Sequence, residues 1–168
     1  MNKNKKISGF IFLEILIAVA LIGIVFITLL VVGFSAVNLS TSVQQQTQAD
    51  SLTKEEFESI RSFRDGTKTT WGTTGLGSVS FGSANPYYTF LDASTNPAKW
   101  TLHAGTETTG IFTRKVVFDK VSRDPATQNI ETVYNAAHND ADTVKATITV
   151  TWPTKTSQVV AYFTNWQK

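Results

Sequence analysis

The chain has 168 residues, a formal net charge of +2 at pH 7 and no cysteine. So small a net charge gives no reason to expect a nucleic-acid-binding protein, and without cysteine the fold has neither disulfides nor thiolate metal sites. Aromatic residues make up 11% of the sequence, which favours one folded domain over a disordered chain.

The first feature along the chain is an apolar run over residues 10–39 that contains one ionisable residue, Glu14. An apolar segment of about 18 residues or more can span a bilayer as a helix. Lys3, Lys5 and Lys6 precede the run, and lysines on that side predict a cytoplasmic N-terminus and an exported C-terminal domain. We therefore expect a single-pass protein of the cytoplasmic (inner) membrane.

Glu14 is the unusual residue of this segment. A carboxylate in a membrane helix costs about 2.5–3.5 kcal/mol at mid-membrane and less near the edge, so we expect a cation to compensate it. A conventional cleaved signal has an apolar region of about 7–15 residues followed by a small residue. Here the region is longer and the small residue, Gly9, comes before it. A plain signal anchor is one interpretation, and a processed segment that gains a cation is the other.

Residues 5–14, with the sequence KKISGFIFLE, resemble the N-terminal processing signal of type IV prepilins and pseudopilins. Members of that family have a basic leader ending in glycine, an aromatic first mature residue, a glutamate four residues later and an apolar helix. Ile11 and Phe12 replace the Thr or Ser and the Leu that are frequent in the family. Both are apolar and leave the glycine, the aromatic residue and the glutamate in place.

The resemblance implies that a membrane aspartyl peptidase cuts after Gly9 and N-methylates Phe10, so that residues 1–9, with Lys5 and Lys6, form a cleaved basic leader. The new ammonium of Phe10 would compensate Glu14 of its own or a neighbouring subunit, since opposite charges attract strongly at low dielectric. The implied partners are this peptidase and methyltransferase, other pilin subunits through the N-terminal helix, and membrane lipid before assembly.

Beyond the apolar run, the helical pattern continues as an amphipathic one. Five apolar residues fall within an arc of about 140° at about 100° per residue, namely Ala49, Leu52, Phe57, Ile60 and Phe63. The pair Asp65-Gly66 is a typical helix stop. We expect one helix whose residues 10–39 form a transmembrane or filament-core half and whose residues 40–65 form an amphipathic half.

Residues 66–168 are predicted to form a globular β-sheet domain, with a Gly/Ser/Thr-rich loop at residues 66–86 that Trp71 and Phe81 anchor. The candidate strands are residues 87–91, 100–103, 111–121, 143–152 and 158–166, with a hairpin loop at residues 153–157. Residues 143–152 alternate apolar and polar side chains, which is typical of a half-buried antiparallel strand. The predicted class is α+β, a long N-terminal helix packed on an antiparallel sheet, as in type IV pilins.

No catalytic constellation accompanies the two histidines, His103 and His138, so neither an enzyme nor a cofactor is expected. Asp140 and Asp142 could attract Ca²⁺, but the stretch lacks the glycine and distant glutamate of an EF-hand, and we interpret it as a solvated turn without metal. The basic residues of this region are interpreted as a solvated strand face, with no nucleic-acid partner: Arg114, Lys115, Lys120 and Arg123.

These observations predict a structural subunit, of the minor class, of a type IV pilus or a related pseudopilus. Such a protein moves from the inner membrane to an extracellular pilus or pseudopilus and takes no small-molecule substrate. The alternative is a signal-anchored cell-surface binding or adhesion protein that does not polymerise. The sequence does not separate a pilus from a secretion or DNA-uptake pseudopilus.

Overall fold

The computed structural model describes residues 5–153 and 155–166, with side chains from Phe10 onward. Within these residues the chain forms one α-helix, α1 (Lys5–Gly66), three short 3-10 helices and six β-strands. This is the predicted α+β class. The chain divides into two compact units, the first ending at Gln46 and the second beginning at Thr47, so that α1 belongs to both.

The six strands form one antiparallel sheet with the order β2-β1-β4-β5-β6, in which β3 also pairs with β4. Their bounds are β1 (Pro86–Asp92), β2 (Lys99–Ala104), β3 (Glu107–Thr109), β4 (Phe112–Ser122), β5 (Asn139–Trp152) and β6 (Lys155–Thr164). Five of them confirm the predicted strands. The sixth, β3, is only three residues long and was not predicted.

Strand β5 begins at Asn139, four residues earlier than predicted, so the prediction of a turn around Asp140 and Asp142 is wrong, because these residues belong to the strand. Strand β6 ends at Thr164, two residues earlier than predicted.

Two other predicted boundaries are wrong for reasons of turn geometry. The loop predicted at residues 153–157 is shorter, because β5 and β6 remain paired as far as Trp152 and Lys155. Ile111 was predicted to open a strand but lies with Gly110 in the turn between β3 and β4. Gly110 has a φ of +61°, a conformation that favours glycine.

The first unit consists of helix alone. Every residue from Phe10 to Thr41 is exposed, so the apolar side chains of this segment have no core within the chain. The backbone is helical on both sides of the bond between Gly9 and Phe10. The predicted leader, residues 1–9, lies partly outside the described residues, because residues 1–4 are not described.

In the second unit, the last turns of α1 cover one face of the sheet. Ala49 and Ile60 are fully buried, while Leu52, Phe57 and Phe63 are partly buried against the core, which confirms the predicted amphipathic arc. The helix ends at Gly66, at the predicted stop signal.

The core of the sheet follows from the alternation of β5. The side chains that point to the helix face are at most 5% exposed, namely Val144, Ala146, Ile148, Val150 and Trp152. Val116 and Phe118 of β4 and Phe163 of β6 lie beside them in the same core. The Thr and Lys residues between them remain only partly buried, as period two requires.

The predicted loop between α1 and β1 is held to the sheet by Trp71. Its side chain is buried, and its indole Nε1 donates to the carbonyl of Ala141 at 3.0 Å. This carbonyl is accessible because the register of β4 and β5 shifts between Lys120 and Val121, where a β-bulge or irregularity interrupts the ladder. Phe81, the second predicted anchor, is half-buried against the core.

Gly77 provides a test of this packing. A Cβ added at Gly77 would lie 2.5 Å from Nε1 of Trp71, so Gly77→Ala should displace the indole and lower the free energy of unfolding by about 1–3 kcal/mol. Gly72→Ala is the matched control, since nothing lies within 4 Å of the added Cβ, and it should be neutral. Urea unfolding of the full chain in detergent, followed by tryptophan fluorescence, measures both. Equal stabilities of the two variants would contradict the close contact.

Candidate functional site

The predicted processing residues lie on the exposed first part of α1. Phe10 is 72% exposed, and Glu14 is exposed one helical turn later on the same face. The bond after Gly9 is internal to the helix. The predicted leader residues Lys5 and Lys6 lie in the first turn of α1, and their side chains are outside the described residues.

The apolar part of α1 presents hydrocarbon in every direction. Among the residues that the structure describes, α1 is the one helix long and apolar enough to cross a membrane. The hydroxyl of Thr28 donates within the helix, to the carbonyls of Val25 at 2.8 Å and Ile24 at 3.0 Å. Because the backbone groups are also satisfied within the helix, this surface is suited to lipid or to another apolar helix, and Glu14 is the one ionisable residue of residues 10–39.

A second polar site lies in the sheet-bearing unit, around Arg114. Its Nη1 donates to Oε1 of Glu55 at 2.8 Å, and its Nε donates to Oε2 of Glu107 on β3. Oε2 of Glu56 lies 3.4 Å from the same Nε. One guanidinium therefore joins two neighbouring residues of α1 to the β3–β4 hairpin, with three carboxylates around it.

Glu56 is the buried member of this cluster, with no exposed surface. Its carboxylate accepts hydrogen bonds from the backbone N–H of Thr89 at 3.0 Å and from the Thr89 hydroxyl at 2.9 Å. The Ser59 hydroxyl lies 2.6 Å from the same threonine oxygen. Burial raises the pKa of Glu56, and the attraction of Arg114 and the hydrogen bonds from Thr89 offset only part of that shift.

The prediction that Arg114 lies on a solvated strand face is wrong. The side chain is on the core face of β4, between Phe112 and Val116, and the residue is 7% exposed. Two spacings in the sequence indicate that these charged residues are buried. Arg114 is in phase with the apolar residues of β4, which recur at every second position. Glu56 lies four residues from both Leu52 and Ile60, in the middle of the apolar arc of α1.

The residues that resembled a calcium loop take part in a different arrangement. Arg123 donates from Nε to Oδ2 of Asp140 at 2.6 Å, and the other carboxylate oxygen accepts the backbone N–H of Asp142 at 3.0 Å. Desolvation opposes ionisation of Asp140, but hydrogen bonds from Thr143 and Arg123 outweigh it and lower the pKa. The guanidinium thus supplies the positive charge that a cation would bring.

His138, the histidine closest to that stretch, contacts a carboxylate. Its Nδ1 lies 2.9 Å from Oε1 of Glu131, in the segment that joins β4 to β5. The hydrogen bonds of Ser122 and His138 lower the pKa of Glu131. His103 lies against the rings of Tyr88 and Phe90 at the β1–β2 hairpin. Within residues 5–153 and 155–166, no group of three or more His, Asp or Glu side chains could hold a metal ion.

No protein-family model matches this sequence, and no curated protein and no solved structure is significantly similar to it.

The raised pKa of Glu56 has a measurable consequence. A raised pKa means that the folded state holds the proton more tightly than the unfolded state. The stabilisation from Glu56 is therefore present at low pH and is lost as pH rises through the raised value. Glu56→Gln, which keeps an acceptor for Thr89, should gain stability relative to the wild type between about pH 4.5 and pH 8. Urea unfolding of the full chain in detergent at both pH values tests this.

Two further variants complete the test. Glu56→Ala removes the acceptor as well and should cost about 1–3 kcal/mol, because the backbone N–H and the hydroxyl of Thr89 lose their buried acceptor while Arg114 keeps Glu55 and Glu107. Glu58→Gln on the exposed face of α1 is the control and should change the free energy of unfolding by less than about 1 kcal/mol at either pH. If the stability of Glu56→Gln relative to the wild type does not increase between the two pH values, the assigned shift is contradicted.

Proposed function

We propose that this chain is a structural subunit, of the minor class, of a type IV pilus or related pseudopilus. The observation that carries the proposal is the position of Glu14. It is a single carboxylate in an apolar helical segment that is exposed along its whole length, one turn after the aromatic residue that follows Gly9.

The exposed segment of α1 needs a cover, because residues 10–39 have no core within the chain. Lipid provides that cover while the protein is inserted in the inner membrane, with the N-terminus inside and the globular domain exported. Helices of other subunits replace the lipid when the protein assembles. Both environments are apolar, so the same surface serves before and after assembly.

Glu14 is costly in lipid and becomes useful during assembly. Cleavage after Gly9 creates an α-ammonium on Phe10, and N-methylation leaves it cationic at neutral pH. The ammonium of one subunit then meets Glu14 of another in a low-dielectric surrounding, where the attraction is strong. Such a pair gives the contact a defined register, which is the best-attested role of charges buried between helices.

The remaining parts of the chain have structural roles in this proposal. The peptidase and methyltransferase act on the N-terminal segment, and the other partners are pilin subunits. The Arg114 cluster holds the last turns of α1 on the sheet, with three carboxylates bound internally. Catalysis, a cofactor and a small-molecule substrate have no part in it.

The processing site can be tested by intact mass spectrometry of the protein from its own host. The wild-type chain should begin at an N-methylated Phe10. Gly9→Leu should keep residues 1–9, because the bulky side chain blocks the peptidase, while Ser8→Ala should be processed normally. A wild-type chain that retains Met1–Gly9 in the membrane would instead support the signal-anchored binding or adhesion protein.

The charge pair is tested by replacing Glu14. Glu14→Ala should still be inserted and cleaved, but its incorporation into filaments should fall about 100-fold. The ammonium of Phe10 would lack its partner, and an uncompensated charge in an apolar surrounding costs about 2.5–3.5 kcal/mol. Leu13→Ala, next to it on the same helix, should be incorporated normally. Immunoblots of sheared surface filaments and of membranes measure both. Normal incorporation of Glu14→Ala would refute the charge pair without affecting the assigned cleavage site.

A further inference from the structure

The β1–β2 hairpin, residues 86–104, is joined to the rest of the sheet at one end. In the part of the chain that the structure describes, β1 pairs with β2 at six positions but with β4 at two, where Pro86 lies opposite Val117 and Tyr87 opposite Val116. Beyond these two positions the same edge of β4 pairs with the short strand β3. The position of the hairpin beyond Tyr87 therefore depends on its contacts with α1 and the core.

Thr89 makes the polar contacts between the hairpin and α1. It is the one buried residue of residues 86–104. Its backbone N–H donates to Oε1 of Glu56 at 3.0 Å, and its hydroxyl oxygen lies 2.9 Å from Oε2 of Glu56 and 2.6 Å from the hydroxyl oxygen of Ser59. Leu102, which is opposite Thr89 on β2, packs partly buried against the core. Two residues of α1 thus hold the middle of the hairpin through one threonine.

The close contacts around Thr89 need three protons. The hydroxyl of Thr89 is 2.9 Å from Oε2 of Glu56, the Thr89 and Ser59 hydroxyl oxygens are 2.6 Å apart, and the Ser59 hydroxyl is 2.9 Å from the main-chain carbonyl of Glu56. Each contact is a hydrogen bond only if a proton lies between the two oxygens, and each hydroxyl has one proton to donate. When Glu56 is ionised, Thr89 donates to it and Ser59 completes just one of the other two contacts. A protonated Glu56 supplies the missing donor, because it donates to Thr89, which donates to Ser59, which donates to the carbonyl.

The charges around Glu56 also favour its neutral form. Arg114 of β4 donates from Nη1 to Glu55 of α1 at 2.8 Å and from Nε to Glu107 of β3. The same Nε lies farther from Glu56, at 3.4 Å from Oε2. Two carboxylates therefore already compensate this guanidinium. Ionisation of Glu56 adds a third negative charge at a position without exposed surface, where water cannot solvate it.

We propose that a proton on Glu56 holds the β1–β2 hairpin against α1, and that the hairpin opens locally when this proton is lost. Ionisation leaves one close oxygen–oxygen contact without a hydrogen bond and puts a third carboxylate charge beside Arg114, whereas opening returns the carboxylate to water. The opening is local because it breaks two pairs with β4, while the β4–β5 and β5–β6 ladders stay intact. The inference goes beyond the proposed function and does not depend on it, since it uses neither the cleavage site nor Glu14.

Amide hydrogen exchange of the full chain in detergent, at pH 4.5 and pH 8 and corrected for the intrinsic pH dependence of exchange, tests the proposal. At pH 8 the amides of residues 86–104 should be protected about tenfold less than those of β5, or lower still, because the hairpin opens without the rest of the sheet. The protection of the hairpin should also fall about fivefold or more from pH 4.5 to pH 8, because the closed form retains a proton on Glu56 that the open form releases. Equal protection of the hairpin and β5 at pH 8 would overturn the local opening.

Glu56→Gln separates the effect of the proton from that of the other contacts. The Gln amide donates to the Thr89 hydroxyl and accepts its backbone N–H at every pH, as the protonated acid does, so the hairpin of this variant should be equally protected at pH 4.5 and pH 8. Glu58→Gln, on the exposed face of α1, is the control and should keep the wild-type decrease. Protection of β5 in each variant serves as the check that the sheet is folded. A decrease in Glu56→Gln as large as in the wild type would overturn the inference.

Discussion

The burial of a carboxylate between helix and sheet determines how the globular unit is built. Glu56 has no exposed surface, so its charge and its acceptor oxygens must be satisfied inside. Thr89 of β1 and Arg114 of β4 both reach it. Since β3 supplies Glu107 to the same guanidinium, one polar cluster fixes the position of three strands relative to the last turns of α1.

Two acidic residues of α1, Glu14 and Glu56, lie in different surroundings. Glu56 keeps its place in the core because protein groups surround it, at the expense of a raised pKa. Glu14 lies in an exposed apolar segment, and residues 10–39 contain no cationic side chain. In the proposed function, the partner of Glu14 arises through processing and belongs to another subunit. The first acid then serves the fold of one chain, and the second serves the contact between chains.

The sequence predicted the fold class and most elements, and it predicted less of the polar sites. The strands, the arc of α1 and its stop at Gly66 were accessible because each depends on the spacing of neighbouring residues. Strand β3 escaped prediction because three residues show no period. Arg114 was misassigned because a basic residue on a strand usually faces water, and its carboxylate partners at Glu55 and Glu56 are more than 50 residues away in the chain.

By itself, the sequence determined which segments are helix, strand and apolar span, because backbone preference and hydrophobic period are local properties. It also supplied the resemblance on which the processing and assembly proposals depend. The tertiary structure decided the strand order, which puts β6 at one end of the sheet, and the enclosure of Glu56 by Thr89 and Arg114. These features depend on which distant segments become neighbours. The hydrophobic period places Glu56 and Arg114 on the core face of their own elements, but it does not identify the distant residues that they contact.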